Sequence, residues 1–285
     1  MARASLIELD LSGCNVNDEG ASDIFLALAG IATLKKLILK NARDITSVGW
    51  VACFQRLLDS RSALETLNFA GNPIADEGAS VLASLLGSHM STVLTLNLND
   101  NDSITTNGWR AFSNVLAPTS TSKLKRLRFE DKTSYVVNDD VMIEFIAALA
   151  KNNSLNELGL GCSGVSTYSL GALVHVLCDR SSIANVCNSN HSLNIFEFVD
   201  SDDVEKVQHD ELDVLLDMNK NPDKNEVIRT KLIPFFFSNT DYIRRVFGSI
   251  DIPMMPDVME WIGRDRLGRS VMFELCRSMP ELFQE

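Results

Sequence analysis

His175, Cys178, Cys187 and His191 follow one another as H-x2-C-x8-C-x3-H. Two imidazoles and two thiolates are a donor set that zinc accepts in a tetrahedron. The spacing matches no zinc family, however. His175 and Cys178 also fall beside Leu173 and Leu177 on a helical stretch, where a buried reduced thiol is ordinary. The sequence is therefore read as holding no metal and no cofactor. It has no G-x-S-x-G elbow, no Walker A loop and no H-E-x-x-H pair, so the expectation is a non-enzymatic protein. The chemistry left to explain is recognition. One basic run contains Lys35, Lys36 and Lys40, and another contains Lys125, Arg126 and Arg128. Between them lie Asn68, Asn97 and Asn99. Ammonium and guanidinium groups in such rows suit carboxylates, arginine through a two-pronged contact.

What places these residues is a repeat. The pattern L-x-x-L-x-L begins at Leu6, Leu34, Leu64, Val93, Leu124 and Leu155, so 28, 30, 29, 31 and 31 residues separate the starts. A degenerate seventh copy is Leu193-Phe196-Phe198. Alternating L-x-L puts both leucines on one side of a short strand. The rest of each unit has helical spacing, as in Leu82, Leu85 and Leu86. Polar, glycine-bearing segments precede the helices: Asp18-Glu19-Gly20, Asp76-Glu77-Gly78 and Thr106-Asn107-Gly108. Acidic residues suit helix N-termini, with their unsatisfied N–H groups and positive dipole end. A strand-plus-helix unit cannot bury its apolar side alone, so the units stack around a shared core.

With this period the chain resembles the leucine-rich-repeat family, and Leu64 to Leu86 resembles its ribonuclease-inhibitor and NOD-like-receptor subclass in particular. The resemblance implies an α/β fold: a right-handed horseshoe solenoid with parallel strands on the concave face and helices on the convex one. It implies a solenoid over residues 1–200 and a helical C-terminal cap or docking segment over 201–285. The family usually has Asn or Cys at the ninth position of each unit. Here that position holds Cys14, Ala42, Asn72, Asn101, Lys132, Ser163 and Ser201. Irregular turns are expected at Ala42 and Lys132.

In such a fold the x positions of the strand motif face the hollow. They place Lys35, Lys36, Ile38 and Lys40 on one side, Lys125, Arg126 and Arg128 on the other, and Asn68, Asn97 and Asn99 between. The expected partner is another protein, met through an acidic loop or helix. The last stretch, with Trp261 and Phe273 as anchors, resembles the tails of diatom leucine-rich-repeat proteins. It supports an alternative in which the chain is a subunit of a larger assembly, or a homodimer, joined through its tail. A GTPase-activating regulator is a further alternative. It rests on the repeat type of the Ran-directed members of the family and on Arg43 in a loop.

Composition narrows the classes. Of 285 residues, 45% are hydrophobic and the net charge is −12, which permits a large core and argues against nucleic acid and anionic membranes. The start MARASLIELDLSG has no signal-peptide core, and no apolar run spans a membrane. An intracellular protein, cytoplasmic or nuclear, with reduced thiols is expected. The glycosylation patterns at Asn101, Asn152 and Asn190 are then chance matches.

Overall fold

The computed structural model describes residues 5–59, 63–88, 91–117, 120–130, 139–160, 166–198, 206–236 and 260; the side chains of 59, 198, 206–209 and 233–236 are outside this description. Seven strands form one parallel sheet in sequence order: β1 (Glu8–Asp10), β2 (Lys36–Ile38), β3 (Thr66–Asn68), β4 (Thr95–Asn97), β5 (Arg126–Phe129), β6 (Glu157–Leu160) and β7 (Ile195–Phe198). After the strands come α1 (Asp18–Leu28), α2 (Ser47–Asp59), α3 (Asp76–Gly87), α4 (Thr106–Leu116), α5 (Asp139–Leu149), and α6 (Thr167–Leu177) with the short α7 (Ile183–Cys187). The chain continues with α8 (Lys206–Asn219) and α9 (Lys224–Phe236). Parallel strands with helical crossovers are the solenoid expected from the period.

The leucine row is the spine of the core. Leu9, Leu37, Leu67, Leu96, Leu127, Leu158 and Phe196 stand in register across the seven strands. From Leu37 to Leu158 they are fully buried. The core carries more aromatic mass than its leucine content suggests. Phe25, Trp50, Phe54 and Phe69 form one cluster, with ring centroids 5.3 to 6.4 Å apart. Trp109 stacks on Phe129 at 4.2 Å, and Phe145 joins that ring at 5.5 Å. Rings that large fill the wide space between a strand layer and a helix layer, where aliphatic side chains alone leave voids.

Buried carboxamides hold the turns in register. Asn72 donates to the carbonyls of Leu39 and Phe69, both at 2.8 Å, and accepts from Ala42 N at 2.8 Å. Asn101 repeats the pattern on Phe69 (3.0 Å) and Leu98 (2.7 Å). The turn at Ala42 is therefore regular, contrary to expectation. Asn72 of the next unit satisfies its N–H, and Asn41 takes φ +55° where Gly13, Gly71 and Asp100 take +69°, +73° and +56°. Asparagine tolerates this left-handed conformation, so the glycine is dispensable there. Lys132 lies outside the described residues.

A second carboxamide ladder runs where helices return to strands. Asn152 donates to Leu116 O (2.9 Å), Asn190 to Leu149 O (2.7 Å), and Asn219 to Leu193 O (2.6 Å). Asn219 ends α8, which packs against α6, so the seventh unit has its helix. Asn101, Asn152 and Asn190 are all buried and bonded. As glycan acceptors they are inaccessible in the fold.

A third set of ties joins the N-termini of successive helices. Asp18 accepts from the N–H of Thr46 (2.7 Å) and its hydroxyl (2.6 Å). Asp76 holds Thr105 in the same two ways, both at 2.6 Å. Asp139 accepts from Ser166 N (3.0 Å) and the Ser169 hydroxyl (2.5 Å). Burial opposes the Asp139 charge, but the Ser169 and Ser166 hydrogen bonds outweigh it and hold the carboxyl below its usual range. Asp18, Asp76 and Asp139 thus hold the N-cap residues Thr46, Thr105 and Ser166 of the next unit, whose own oxygens accept from the N–H of Gly49, Asn107 and Ser169, at a helix end where the dipole favours an anion. Glycine follows from this contact. A Cβ on Gly49 would stand 2.0 Å from Asp18 Oδ1, and one on Gly108 2.6 Å from Asp76 Oδ1. In the sixth unit, Ser169 takes the glycine's place and bonds the carboxylate instead.

Candidate functional site

Two rows of side chains line the open face of the sheet. The row at the strand starts reads Glu8, Lys36, Thr66, Thr95, Arg126, Glu157, Ile195. The row at the strand ends reads Asp10, Ile38, Asn68, Asn97, Arg128, Gly159, Glu197. The sheet therefore brings the predicted residues together. Ile38 is the exception in exposure: it stands in its row between Asp10 and Asn68 but is only 8% accessible.

Most of the predicted cations have carboxylate partners inside the solenoid. Lys35 pairs with Glu65 at 2.6 Å and Lys36 with Glu8 at 2.8 Å. Arg128 is hydrogen-bonded to Glu157, which Arg126 also approaches at 3.4 Å. Arg128 further reaches Glu197, two strands away, at 3.4 Å. Gly159 makes that reach possible. It lies between them in register, and a Cβ there would sit 2.8 Å from Glu130 Oε1 and 3.4 Å from Arg128 Cγ. Burial, followed by the Glu197 charge, raises the Glu130 carboxyl above its ordinary value. The two basic stripes of the sequence are thus partly matched by acids contributed from neighbouring units, a pairing that depends on register. Lys40 and Lys125 have no ion-pair partner among the described residues.

The centre between the stripes is polar and uncommitted. Asn68 and Asn97 use their carbonyl oxygens to accept from Ala70 N (3.2 Å) and Asn99 N (2.9 Å), and Asn99 accepts from Glu130 N (3.0 Å). That fixes the three side chains while their NH2 donors find no partner among the described residues. The hydroxyls of Thr66 and Thr95, next to them, are likewise unpaired among the described residues.

The four histidine and cysteine residues of the zinc-like spacing do not assemble. His175 is exposed and pairs with Asp179 at 3.4 Å. Cys178 ends α6 and is buried, which raises its thiol pKa. His191 faces Lys231 Nζ with Nδ1 (3.1 Å) and the Cys187 carbonyl with Nε2 (3.3 Å), so its ring proton belongs on Nε2. Burial, then the Lys231 charge, pushes its pKa down to about 4. Among the described residues no group of three or more His, Cys, Asp or Glu is placed to hold a metal. Sequence reading missed Lys231. Fully buried on α9, it donates to the last carbonyl of α6, Leu177 O, at 2.6 Å. A lysine between Thr230 and Leu232 in an amphipathic helix gave no signal of burial. Arg43 is exposed, and Trp261 and Phe273 lie outside the described residues. Among the described residues no helix is long and apolar enough to cross a membrane.

A family model described as a leucine-rich repeat matches residues 4–25, 63–83 and 89–113. No curated protein matches the sequence. Solved structures similar to this one include actin-binding site 2 of leiomodin-1, at 12% identity and TM-score 0.37, over 74% of this chain and 93% of that one. The tropomodulin C-terminal domain of Caenorhabditis elegans is 16% identical at TM-score 0.34, over 60% and 81%. The Rad7–Elc1 complex of yeast is 15% identical at TM-score 0.35, over 70% and 65%. The chain carries leucine-rich repeats and folds as an α/β leucine-rich-repeat solenoid.

Proposed function

We propose that this chain is a protein-binding module, without catalytic activity, that holds its partner on the open face of the sheet. One observation carries the reading: Thr66, Thr95, Asn68, Asn97 and Asn99, on and just after β3 and β4, present a patch of hydrogen-bonding groups unpaired among the described residues, flanked on both sides by charges. A surface at rest in water needs no such order. Fixed carboxamides with their donors outward lose little conformational entropy when a partner's carbonyl or carboxylate arrives. The units, each a short strand followed by a helix, are of the ribonuclease-inhibitor type by period. Their shared sheet offers an extended, rigid recognition surface, as solenoids generally do.

The test is affinity purification with quantitative mass spectrometry, comparing strand-face and helix-face variants. Thr95→Trp and Asn97→Trp should deplete the specific partner by about tenfold, a loss of ~1.4 kcal/mol. Val48→Glu and Tyr168→Glu, on exposed helix positions, should retain it. Loss with the helix variants and retention with the strand variants would place the partner on the helical side.

A further inference from the structure

Along the strand starts of β3 to β7 runs a groove of about 600 Å³, lined by Thr66, Thr95, Lys125, Arg126, Glu157 and Ile195 among others. The groove's acids are spent and its bases are not. Glu65 is taken by Lys35 at 2.6 Å. Glu157 is 8% accessible at its side chain and lies between two guanidiniums, those of Arg126 and Arg128. Arg128 is shared between Glu157 and Glu197, so the positive excess in the groove rests on Lys125 and the loosely held Arg126. Arg126 is 61% accessible and makes a loose 3.4 Å approach to Glu157. Lys125 has no ion-pair partner among the described residues.

The opposite edge of the face has the reverse balance. Asp100, Glu130 and Glu197 gather at the ends of β4 to β7 with Arg128 the cation among them, while Asp10, with Lys40 near it, lies on the same edge at β1. The potential therefore steps from positive to negative along the strand direction, within one face. We propose, resting on the strand-face reading above, that the partner contributes an acidic segment that lies in this strand-start groove, its carboxylates on Lys125 and Arg126. The acids at the strand ends repel such a segment and confine it to that edge. Arg126 is placed for a two-pronged contact with a carboxylate, while Thr66 and Thr95 offer hydroxyls to the segment's backbone. Attraction of this kind gives specificity and salt-sensitive association.

Fluorescence anisotropy with labelled oligoglutamate, oligolysine and neutral glycine-serine peptides tests this on the full chain. Oligoglutamate should bind, and weaken steeply with added salt. Lys125→Glu combined with Arg126→Glu should weaken it at least about tenfold, with an unchanged circular-dichroism spectrum. The milder Lys125→Ala, which breaks no ion pair, should weaken it in the same direction if the double variant misfolds. Lys40→Glu, on the opposite edge, should leave it unchanged. Absent oligoglutamate binding, stronger oligolysine binding, or a folded Lys125→Glu and Arg126→Glu variant that binds like the parent would overturn the proposal. The strand-face reading is separable. If Thr95→Trp and Asn97→Trp abolish capture of the physiological partner while the charge reversals leave it intact, that reading stands and the acidic segment falls. If neither set matters, both fall.

Discussion

Gly49→Ala isolates the tie between units from ordinary helix propensity. In an exposed helix position, glycine to alanine should stabilise by about 0.5–1 kcal/mol, because the unfolded chain loses freedom. Here the new Cβ would lie 2.0 Å from Asp18 Oδ1 and 2.5 Å from its Cγ, with Ile45 Cγ2 at 3.0 Å. The carboxylate must leave. It then abandons the Thr46 N–H (2.7 Å) and hydroxyl (2.6 Å), the cap of the second helix. Thr46 keeps its own bond from Gly49 N (3.2 Å), so the loss is that of hydrogen bonds to a charged acceptor, about 1.5–3 kcal/mol. The propensity gain offsets part of this, leaving a net loss of about 1 kcal/mol. The same change at Gly20 should stabilise, since the nearest neighbour to a Cβ there is Asn17 Oδ1 at 3.4 Å, an ordinary contact. Urea denaturation followed by circular dichroism measures both. The decisive experiment is a double-mutant cycle with Asp18→Ala. Once the carboxylate is gone, Gly49→Ala meets only the end of the Ile45 side chain at 3.0 Å and should be markedly less destabilising than in the parent. A Gly49→Ala variant as stable as the parent, or an additive cycle, would refute the proposed role of the carboxylate.

Replacing the buried Asn190 by Ala leaves the Leu149 and Asn152 carbonyls and the Ser192 and Leu193 N–H groups unmet, and should cost ~2–4 kcal/mol in the same urea titration. The end of the solenoid should weaken in acid. Burial, then the Lys231 charge, lowers the His191 pKa from 6.5 to about 4, so the unfolded chain binds the extra proton between those values, and stability present above pH 6.5 is lost as pH falls towards 4. Lys231 acts in the same sense over a higher window: burial lowers its pKa from 10.5 to about 7, so stability rises between pH 7 and 10.5. Thermal melts across pH 4 to 10, compared with Lys231→Met, should lose the upper slope in the variant. Thiol labelling of the folded chain should mark Cys14, which is exposed, well before Cys53, whose thiol burial pushes up to about 12.

The repeat was legible because a strand-plus-helix unit must place the same apolar residues in the same order each time, and leucine at every third or second position survives drift. The rows of the open face followed directly, since strand side chains alternate. What they pair with did not follow. The Lys35–Glu65 and Arg128–Glu157 contacts depend on register between units, and Arg128 reaches Glu197 only because Gly159 leaves the way clear. The ninth-position rule misled at Ala42, where Asn72 supplies from the next unit what the local sequence lacks. Asn152 and Asn190 drew notice only as glycan acceptors, because an asparagine's role as a bridge between turns shows in space and not in its own neighbourhood. Lys231 was silent for the same reason.

The ties at the helix starts have a bearing on how such a molecule can be altered. Odd units begin their helices Asp-Glu-Gly-Ala at Asp18 and Asp76, and even units Ser-Val-Gly-Trp and Thr-Asn-Gly-Trp at Ser47 and Thr106. The donor of each tie lies in one kind of unit and the acceptor in the other. A single duplicated unit would set like beside like: a carboxylate with no threonine to hold, or a bulky tryptophan where alanine fits. A duplicated pair would bring its own lock and key. Lengthening or shortening this solenoid by protein engineering should therefore succeed in steps of two units where steps of one fail.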